Sequence, residues 1–289
     1  MMQTITFECE VITPMFLAGA DGVTPELRAP SIKGALRFWW RAMNGHLSLD
    51  DMRKAEGEIF GSTSQRSSVI LFPLVISQKE EIRISGTPHH RNSYCKTSNR
   101  NCFYGKDGRS PTCMKSKTSV AMTYIFTMRV DFNSSKISQV EVEQLFKITF
   151  LLGGIGKRER RGFGSIQISK INDKLCMSLK QEIDNFIDTL QAVTSNIKYP
   201  YFKKVELGKS YDNVNSVLIA IGESTHNFRD NSLGHTQQRF ASPIYVSVIR
   251  VIDNGSQKYY PIITTLNTAD IRTYFTPTTA QTNFITSLK

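Results

Sequence analysis

The spacing of apolar residues switches repeatedly between a period of two and a period of about 3.6, and this switching limits the possible folds more than any other feature of the sequence. The strand-like segments are residues 4–13, 68–77, 120–132 and 162–170, and the helical segments are residues 31–44 and 138–152. Read in order, they predict strand, helix, strand, strand, helix, strand. This is the order of the ferredoxin-like, split βαβ arrangement.

The second half of the chain is predicted to repeat part of that order. Helices are expected near residues 177–193 and 278–288, and strands near residues 215–222, 243–252 and 257–266. No residue-level repeat links the two halves, so a duplication rests on element order alone. We therefore predict an α+β protein with two ferredoxin-like domains, at residues 1–170 and at residues 171–289, the second of them partly degenerate.

Residues 86–119 interrupt the first predicted domain between its second and third strands. This segment is rich in Ser, Asn, Gly and cations and poor in aliphatic residues. A connection of this length inside a compact domain is usually functional or disordered, and its cations attract anions in either case. We expect a long flexible basic arm.

Composition limits the classes of partner and cofactor. The formal net charge of +11 and the pI of about 9.4 favour polyanionic partners. The sequence contains no apolar run of about 18 residues, and its start lacks the order of a signal peptide, so we expect a cytoplasmic protein without a membrane partner. Five cysteines form no CxxC pair, and their spacings with His89 and His90 match no familiar metal site, so neither a metal nor another cofactor is expected.

The helix predicted at residues 31–44 carries Lys33, Arg37 and Arg41 at intervals of four, opposite a broad apolar arc. Like charges at this interval repel each other and weaken a helix slightly, so another interaction must favour them. A solvated surface and a ligand-binding surface both fit this basic arc, and neither contributes to folding. Gly34 lies on the same arc, where its missing side chain would let a phosphate or a backbone come close.

The start of the same helix is a candidate anion site. Ser31 is the predicted N-cap, preceded by Pro30, and the exposed amides of a helix N-terminus bind anions. Arg28 would lie beside them.

A second basic segment, residues 151–166, reads LLGGIGKRERRGFGSI. It leaves a helix and enters a strand, so it is neither a dinucleotide fingerprint nor a P-loop. A helix C-cap followed by a turn would account for Gly153 or Gly154, but it leaves the four cations Lys157, Arg158, Arg160 and Arg161 unexplained. Glycine-rich backbone flanked by cations suits phosphate contact, and we infer that this loop and the first helix converge on one groove.

Evidence for catalysis is limited to one histidine. His46 follows the basic helix and could act as a general base on a ribose hydroxyl, or could simply be a favourable charge near the helix C-terminus. Paired carboxylates, GxSxG and HExxH are absent from the sequence. No catalytic residue is therefore predicted.

Three segments carry a family resemblance: residues 20–45, residues 151–166 and, in the second half, residues 237–248. Together they resemble the RAMP proteins of type III-B CRISPR systems, specifically the family of the first-numbered Cmr subunit. The resemblance implies two ferredoxin-like domains and a place in a multisubunit RNA-guided complex with other Cmr subunits. It also implies binding of guide RNA and target RNA, with cleavage chemistry residing in other subunits.

The resemblance also implies an RNA-binding set, carried over only where the motifs match. That set is Arg28, Lys33, Arg37, Trp40, Arg41, Lys157, Arg158, Arg160, Arg161 and Arg239. Trp40 lies at the edge of the apolar arc, where it can pack in the core or face a base. The chain departs from the family in its insertion at residues 86–119 and in a short second half.

Three functions therefore remain open. The first is a non-catalytic RNA-binding subunit in antiviral defence, which holds the RNA backbone and leaves sequence reading to base pairing, so that no base specificity is expected. The second is a metal-independent RAMP endoribonuclease that processes CRISPR RNA with His46 as the general base. The third is a basic adaptor for an acidic protein partner.

Overall fold

The structure is a computed structural model that describes most of the chain. The described residues are 1–19, 21, 24–85, 92–94, 103–105, 118–176, 178–190, 201–228, 230–234, 241–267 and 278–289. They contain eleven strands and six α-helices arranged around antiparallel sheets, which confirms the predicted α+β class.

The elements are numbered in chain order. The strands are β1 (Met2–Val11), β2 (Met15–Phe16), β3 (Val69–Ser85), β4 (Asn92–Tyr94), β5 (Phe103–Gly105), β6 (Thr118–Asn133), β7 (Ile166–Ile171), β8 (Lys174–Leu175), β9 (Tyr201–Leu207), β10 (Ile244–Asp253) and β11 (Ser256–Asn267). The helices are α1 (Ala29–Met43), α2 (Leu49–Phe60), α3 (Gln139–Leu152), α4 (Lys180–Thr189), α5 (Val214–Asn227) and α6 (Thr279–Leu288). None of these six is both long and apolar enough to cross a bilayer.

The first sheet has the strand order of a ferredoxin-like fold. Its main strands lie in the order β3-β6-β1-β7, each antiparallel to its neighbours, while β2 pairs with β6 and β8 with β7. Because successive side chains of a strand point to opposite faces, Ile5, Phe7 and Cys9 of β1 all point into the core and are buried. The ring of Phe7 stacks on that of Phe146 in α3, with 4.4 Å between centroids.

Helix α3 begins where the sequence predicts. Ser138 is its N-cap, and the Ser138 hydroxyl accepts a hydrogen bond from the Glu141 amide. The Glu141 carboxylate in turn accepts from the Ser138 amide at 2.8 Å, which completes a capping box. The helix ends at Gly153, where the glycine-rich segment starts.

The second sheet is a shortened version of the first. Its strands lie in the order β10-β11-β9 and are all antiparallel. The elements follow one another as β9, α5, β10, β11 and α6, which is the ferredoxin-like order without a fourth strand among the described residues. This order is compatible with the predicted partly degenerate second ferredoxin-like unit, and the division at residues 170 and 171 stays a prediction.

The strand predicted at residues 215–222 is wrong, because this segment lies inside helix α5. A short apolar run cannot be assigned to a strand or a buried helix from periodicity alone. The side chain of Asn213 decides the matter locally, since it caps the helix by accepting from the Ser216 amide at 2.9 Å. The buried residues Val217, Ile221 and Ser224 then follow at helical spacing.

Apart from strands of two or three residues, two elements are not predicted from the sequence, α2 and β9. Helix α2 carries six charged residues among its twelve, which obscures its apolar stripe of Met52, Ile59 and Phe60. Strand β9 is short and contains two adjacent lysines, Lys203 and Lys204. Weak local hydrophobicity explains both omissions.

The two sheets meet along β10. Arg250 of β10 forms a two-pronged ion pair with Glu10 of β1, with distances of 2.5 and 3.1 Å. The Val248 amide donates to the Ser165 hydroxyl at 2.9 Å. One apolar cluster combines Phe16 of the first sheet with side chains of the second sheet, and another packs α1 and α3 against the second sheet. The junction is therefore held by apolar packing and by polar bonds.

The predicted basic arm at residues 86–119 lies mainly outside the described residues. The short strands β4 and β5 pair with each other there, and β6 begins at Thr118. Its predicted flexibility remains an expectation.

The ion pair between the sheets leads to a first prediction. A double-mutant cycle with Glu10→Gln and Arg250→Gln, measured by urea unfolding, should give a coupling free energy of about 1–3 kcal/mol, because the pair is two-pronged and half-buried. The matched pair Glu8–Lys170, also from β1 but more exposed, should give less than about 1 kcal/mol. Equal coupling free energies for the two pairs would show that the Glu10–Arg250 ion pair stabilises the protein no more than a surface pair does.

Candidate nucleic-acid interface

Helix α1 starts two residues earlier than the sequence predicts. Its N-cap is Arg28, whose side chain makes no capping hydrogen bond, so the predicted N-cap at Ser31 is wrong. Pro30 fits the first helical turn because it needs no hydrogen-bond acceptor there. The Ser31 amide donates to the Arg28 carbonyl at 3.1 Å and is not free for an anion. The helix N-terminus is consequently a weaker anion site than predicted.

The three cations of the basic arc donate into the protein's own fold. The ammonium of Lys33 donates to the Ser67 hydroxyl at 2.8 Å and to the Val69 carbonyl at 2.9 Å. Arg37 and Arg41 share one carboxylate oxygen of α2, that of Glu56, at 2.7 and 2.9 Å. The expectation that this arc contributes nothing to folding is therefore wrong.

This shared carboxylate explains the like charges at intervals of four. Glu56 is 9% exposed and lies between two guanidinium groups, so its negative charge offsets their mutual repulsion. Burial, with a smaller effect from Arg37, lowers the pKa of Lys33. The side chains of Arg37 and Arg41 remain 35% and 30% exposed. They retain a solvent-facing edge while acting as structural residues.

The adjacent tryptophans pack in two different places. Trp40 is 8% exposed and lies edge-on to Phe60 of α2, so its packing role is the one observed. Trp39 is 2% exposed and lies edge-on to Tyr245 of β10, with 5.2 Å between ring centroids. The double Trp therefore ties α1 to α2 on one side and to the second sheet on the other.

The glycine-rich segment folds back on itself and on the end of β1. The Ile155 amide donates to the Gly164 carbonyl at 3.0 Å, and the Lys157 amide donates to the Phe16 carbonyl at 3.0 Å. Gly164 has φ +67°, and an added Cβ would overlap the Ile155 carbonyl oxygen. Such contact between backbones requires glycine. The turn expected from the sequence is present, and its backbone at Gly164 packs directly against the backbone at Ile155, which a simple turn does not require.

The four cations of this segment have different environments. Lys157 is exposed, whereas burial lowers the pKa of Arg158. Arg160 donates to the Ser242 carbonyl at 2.9 Å, and its guanidinium lies 4.6 Å from the centre of the Tyr245 ring. Arg158 and Arg160 therefore face the rest of the fold to different degrees. Lys157 is the most accessible of the four cations.

Arg161 acts as a structural clamp. It donates to the carbonyls of Ile244 at 3.0 Å and Leu233 at 2.9 Å, and it lies 5.3 Å from the Phe284 ring centre. Burial, with Arg160 and Arg158 nearby, lowers the pKa of Arg161 to about 10, so the side chain stays charged at neutral pH. The basic segment is thus anchored to the second sheet by its own arginine.

A cleft of about 320 Å³ lies where α1, the glycine-rich segment and β10 meet. Its lining residues are Ser31, Gly34, Ala35, Phe38 and Trp39 of α1, Gly154, Ile155, Gly156, Glu159 and Arg160 of the glycine-rich segment, and Tyr245. The predicted convergence of the two motifs on one groove is confirmed by this cleft. Of the nine predicted RNA-binding residues that the structure describes, Arg160 is the one that lines it.

Three of the lining residues outside the predicted RNA-binding set could contact a ligand through a ring or a carboxylate: Phe38, Glu159 and Tyr245. Phe38 was assigned to the apolar arc, yet it remains half-exposed beside the cleft. Tyr245 belongs to the third segment that resembles the family, residues 237–248, and this resemblance was the sequence feature that could have identified it. Glu159 is a single acidic residue within a basic run, and that interruption of the charge pattern could have been noticed.

The remaining predicted residues lie away from the cleft or outside the described residues. Arg28 is 37% exposed and lies 3.6 Å from the carboxylate of Glu26. His46 is exposed in the turn after α1. Arg239 falls in an undescribed stretch, as do His89 and His90. Among the described residues no group of three metal-ligating side chains is found.

The role of Glu56 leads to a second prediction. Glu56→Gln should lower the free energy of unfolding by about 1.5–3 kcal/mol, because it weakens two charge-assisted hydrogen bonds and leaves Arg37 and Arg41 to repel each other. Glu58→Gln on the same helix is the control, since within the described part of the chain the Glu58 carboxylate pairs with Lys136 alone, at 3.1 Å near the surface. Its cost should be below about 1 kcal/mol. Chemical denaturation measures the free energy of unfolding of both variants. Similar losses would show that the carboxylate shared by Arg37 and Arg41 stabilises the fold no more than a surface carboxylate does.

The glycine packing leads to a third prediction. Gly164 and Gly255 have similar φ angles of +67° and +75°, but an added Cβ at Gly255 meets nothing within 4 Å. Gly255→Ala should therefore cost only the left-handed backbone penalty of about 1–2 kcal/mol. Gly164→Ala should cost at least about 2 kcal/mol more, because the carbonyl of Ile155 must move. Thermal or urea unfolding of both variants measures the difference, and equal costs would refute the packing argument.

Comparison with curated proteins identifies two relatives in Pyrococcus furiosus. One is named CRISPR system Cmr subunit Cmr1-2, with 28% identity over 190 residues, covering 60% of this chain and all of the relative. The other is named Cmr subunit Cmr1-1, with 29% identity over 196 residues, covering 65% of this chain. The match spans about half of that longer relative, 55%.

Solved structures share the fold over nearly the whole chain. The apo crystal structure of Cmr1 from Pyrococcus furiosus superposes with a TM-score of 0.59 at 20% identity, covering 99% of this chain and 96% of that one. A chain in the cryo-EM structure of the type III-B Cmr-beta complex bound to cognate target RNA superposes with a TM-score of 0.57 at 13% identity, covering 99% of both chains. At such identities the likeness concerns the fold.

The segment that identifies the family contains the first motif, most of the first sheet and the glycine-rich segment. The sequence model of the RAMP superfamily matches residues 8–167, which is more than half of the chain and contains most of the first sheet together with the lining residues of α1 and of the glycine-rich segment. The protein therefore belongs to the RAMP superfamily.

Proposed function

We propose that the protein is a non-catalytic RNA-binding subunit of a type III-B CRISPR effector complex, where it holds the backbone of guide and target RNA in antiviral defence. Support comes from RAMP membership and from relatives named as Cmr subunits. A chain of a complex bound to target RNA also has the same fold. Other Cmr subunits are the expected protein partners.

The cleft between α1 and the glycine-rich segment is the observation that carries this proposal. An added Cβ at Gly34 would meet nothing within 4 Å, so the surface above α1 is open to a ligand. Lys157 is exposed on the glycine-rich segment, and the net charge of the chain is +11. An open cleft beside accessible cations suits a single-stranded polynucleotide.

The predicted cations divide into two groups in this proposal. Arg28, Lys157 and Arg158 make direct contacts with phosphates, because they have no strong bond to another element in the described structure. The second group consists of Lys33, Arg37, Arg41, Arg160 and Arg161, whose donors already hold the fold. They act through the positive field that they add to the surface. Trp40 supports the surface from the core, and Arg239 stays an additional candidate.

The endoribonuclease alternative gains no support from the position of His46. Helix α1 rises about 1.5 Å per residue, so the lining residues Gly34 and Trp39 lie about 15 Å and about 7.5 Å along the helix from Asn44, which precedes the turn carrying His46. Even the nearer of these distances exceeds the hydrogen-bond reach that a general base requires. The non-catalytic role is the better match to this geometry.

RNA binding by the full-length chain tests the proposal. The logarithm of the binding constant for labelled single-stranded RNA should fall linearly with the logarithm of salt concentration, by about 0.7 per neutralised phosphate. Lys157→Gln should reduce this slope by about 0.7. Lys174→Gln, which removes an exposed cation on β8 that does not line the cleft, should leave the slope unchanged. Filter binding at several salt concentrations measures both.

The same samples distinguish the alternatives. In EDTA the RNA should be recovered intact, whereas a defined product that disappears in His46→Ala would assign the chemistry to this chain. Absence of any RNA binding, together with capture of an acidic protein, would favour the adaptor. An equal slope change in Lys157→Gln and Lys174→Gln would place the RNA elsewhere.

A further inference from the structure

The described lining residues of the cleft carry no net charge together, in contrast to the surface around it. Of these residues only Glu159 and Arg160 are charged. The rest of the wall is aromatic or small, with Phe38, Trp39 and Tyr245 contributing their rings. A site built to hold phosphate would be expected to present an excess of donors.

Arg160 is already engaged in the wall of the cleft. Its guanidinium donates to the Ser242 carbonyl at 2.9 Å and lies 4.6 Å from the Tyr245 ring centre. The group is thereby held flat against the second sheet. A phosphate entering the cleft would have to compete for this guanidinium.

Glu159, by contrast, has neither a hydrogen bond nor an ion pair with another side chain within the described residues. It is half-buried in the turn between Arg158 and Gly162. Burial raises the pKa of its carboxyl, and the nearby Arg160 offsets this only in part. A carboxylate with no hydrogen-bond partner among the described residues, in a ligand-sized cleft, is suited to N–H donors and repels phosphate.

The size of the cleft agrees with a small planar ligand. Its volume of about 320 Å³ is at the low end of the range for small-molecule sites, about 300–1,000 Å³. There is room for one base with part of its sugar. Half-exposed Phe38 offers a face on which a base can stack.

Building on the proposed function, we propose that the cleft takes one unpaired nucleobase of the bound RNA, and that Glu159 selects bases with amino donors, guanine above all. Guanine presents N1–H and the N2 amino group side by side, so that both donate to the two oxygens of one carboxylate. Uracil presents one N–H between two carbonyl oxygens, which the carboxylate repels. This replaces the expectation of no base specificity with selection at a single position.

Nucleoside binding tests the cleft directly. The chain contains two tryptophans, Trp39 and Trp40, and Trp39 lines the cleft. Guanosine should therefore quench the tryptophan fluorescence of the full-length protein at lower concentration than uridine. Inorganic phosphate at matched ionic strength should have no effect. Quenching by phosphate, or by uridine as readily as by guanosine, would overturn the proposal.

RNA oligonucleotides test the selection. Wild-type protein should bind an oligouridine with one internal guanine about fivefold or more tighter than the all-uridine oligomer, given the usual discrimination of a two-pronged base contact. Glu159→Gln should reduce this ratio to below about two without weakening binding of the all-uridine oligomer. Glu223→Gln, an exposed acidic residue on α5, should keep the wild-type ratio.

These results separate the inference from the function on which it rests. Equal affinity of wild-type protein for both oligomers overturns base selection and leaves RNA binding intact. A loss of affinity for both oligomers in Glu159→Gln would make Glu159 a structural residue and would also overturn the proposal. A chain that binds neither oligomer contradicts both the inference and the proposed function.

Discussion

The cleft depends on the contact of backbone with backbone in the glycine-rich segment. Between α3 and β7 the chain must turn within a space that leaves no room for a Cβ at Gly164, and its amides and carbonyls bond to the ends of β1 and β2. This packing fixes one wall of the cleft against α1. It also points Arg160 and Arg161 into the second sheet, where they join the two halves of the protein.

Many of the cations stabilise the fold, whatever they contribute to ligand binding. Lys33, Arg37 and Arg41 hold α1 to α2 and to the start of β3, and Arg161 holds the glycine-rich segment to β10. A positive surface is usually interpreted as a binding surface, because exposed charge contributes little to stability. Here the stabilising role is strong because the partner carboxylate and carbonyls are buried or half-buried. Variants of these residues will affect stability and binding together.

The neutral cleft and its basic surroundings suit different parts of a polynucleotide. Exposed cations suit the phosphates, which carry no sequence information, whereas the aromatic wall and Glu159 suit a base. The proposed function requires only the first of these properties, and the further inference depends on the second. In a RAMP-superfamily protein with a single acidic residue inside a basic loop, the two can be separated experimentally.

Much of the first sheet could be predicted from the sequence. Its strands alternate clearly, and the Ser138 cap of α3 depends on residues only three positions apart. The second unit was less predictable, because the apolar run that forms α5 has no period that excludes a strand, and because β9 is weakly hydrophobic. Helix α2 of the first unit was missed for the same lack of local hydrophobicity. Similarly, the two motifs beside the cleft were visible in the sequence, whereas Tyr245 was visible only as part of a longer match.

The sequence by itself determined the element order, the basic character and the two motifs, because each of these depends on residues close together in the chain. Only the tertiary structure decided which cations are accessible. Glu56 lies 19 residues from Arg37 and Ser242 lies 82 residues from Arg160, so those pairs form only when α2 and β10 pack in place. Whether a charge stabilises the fold or faces a ligand depends on its neighbours in space.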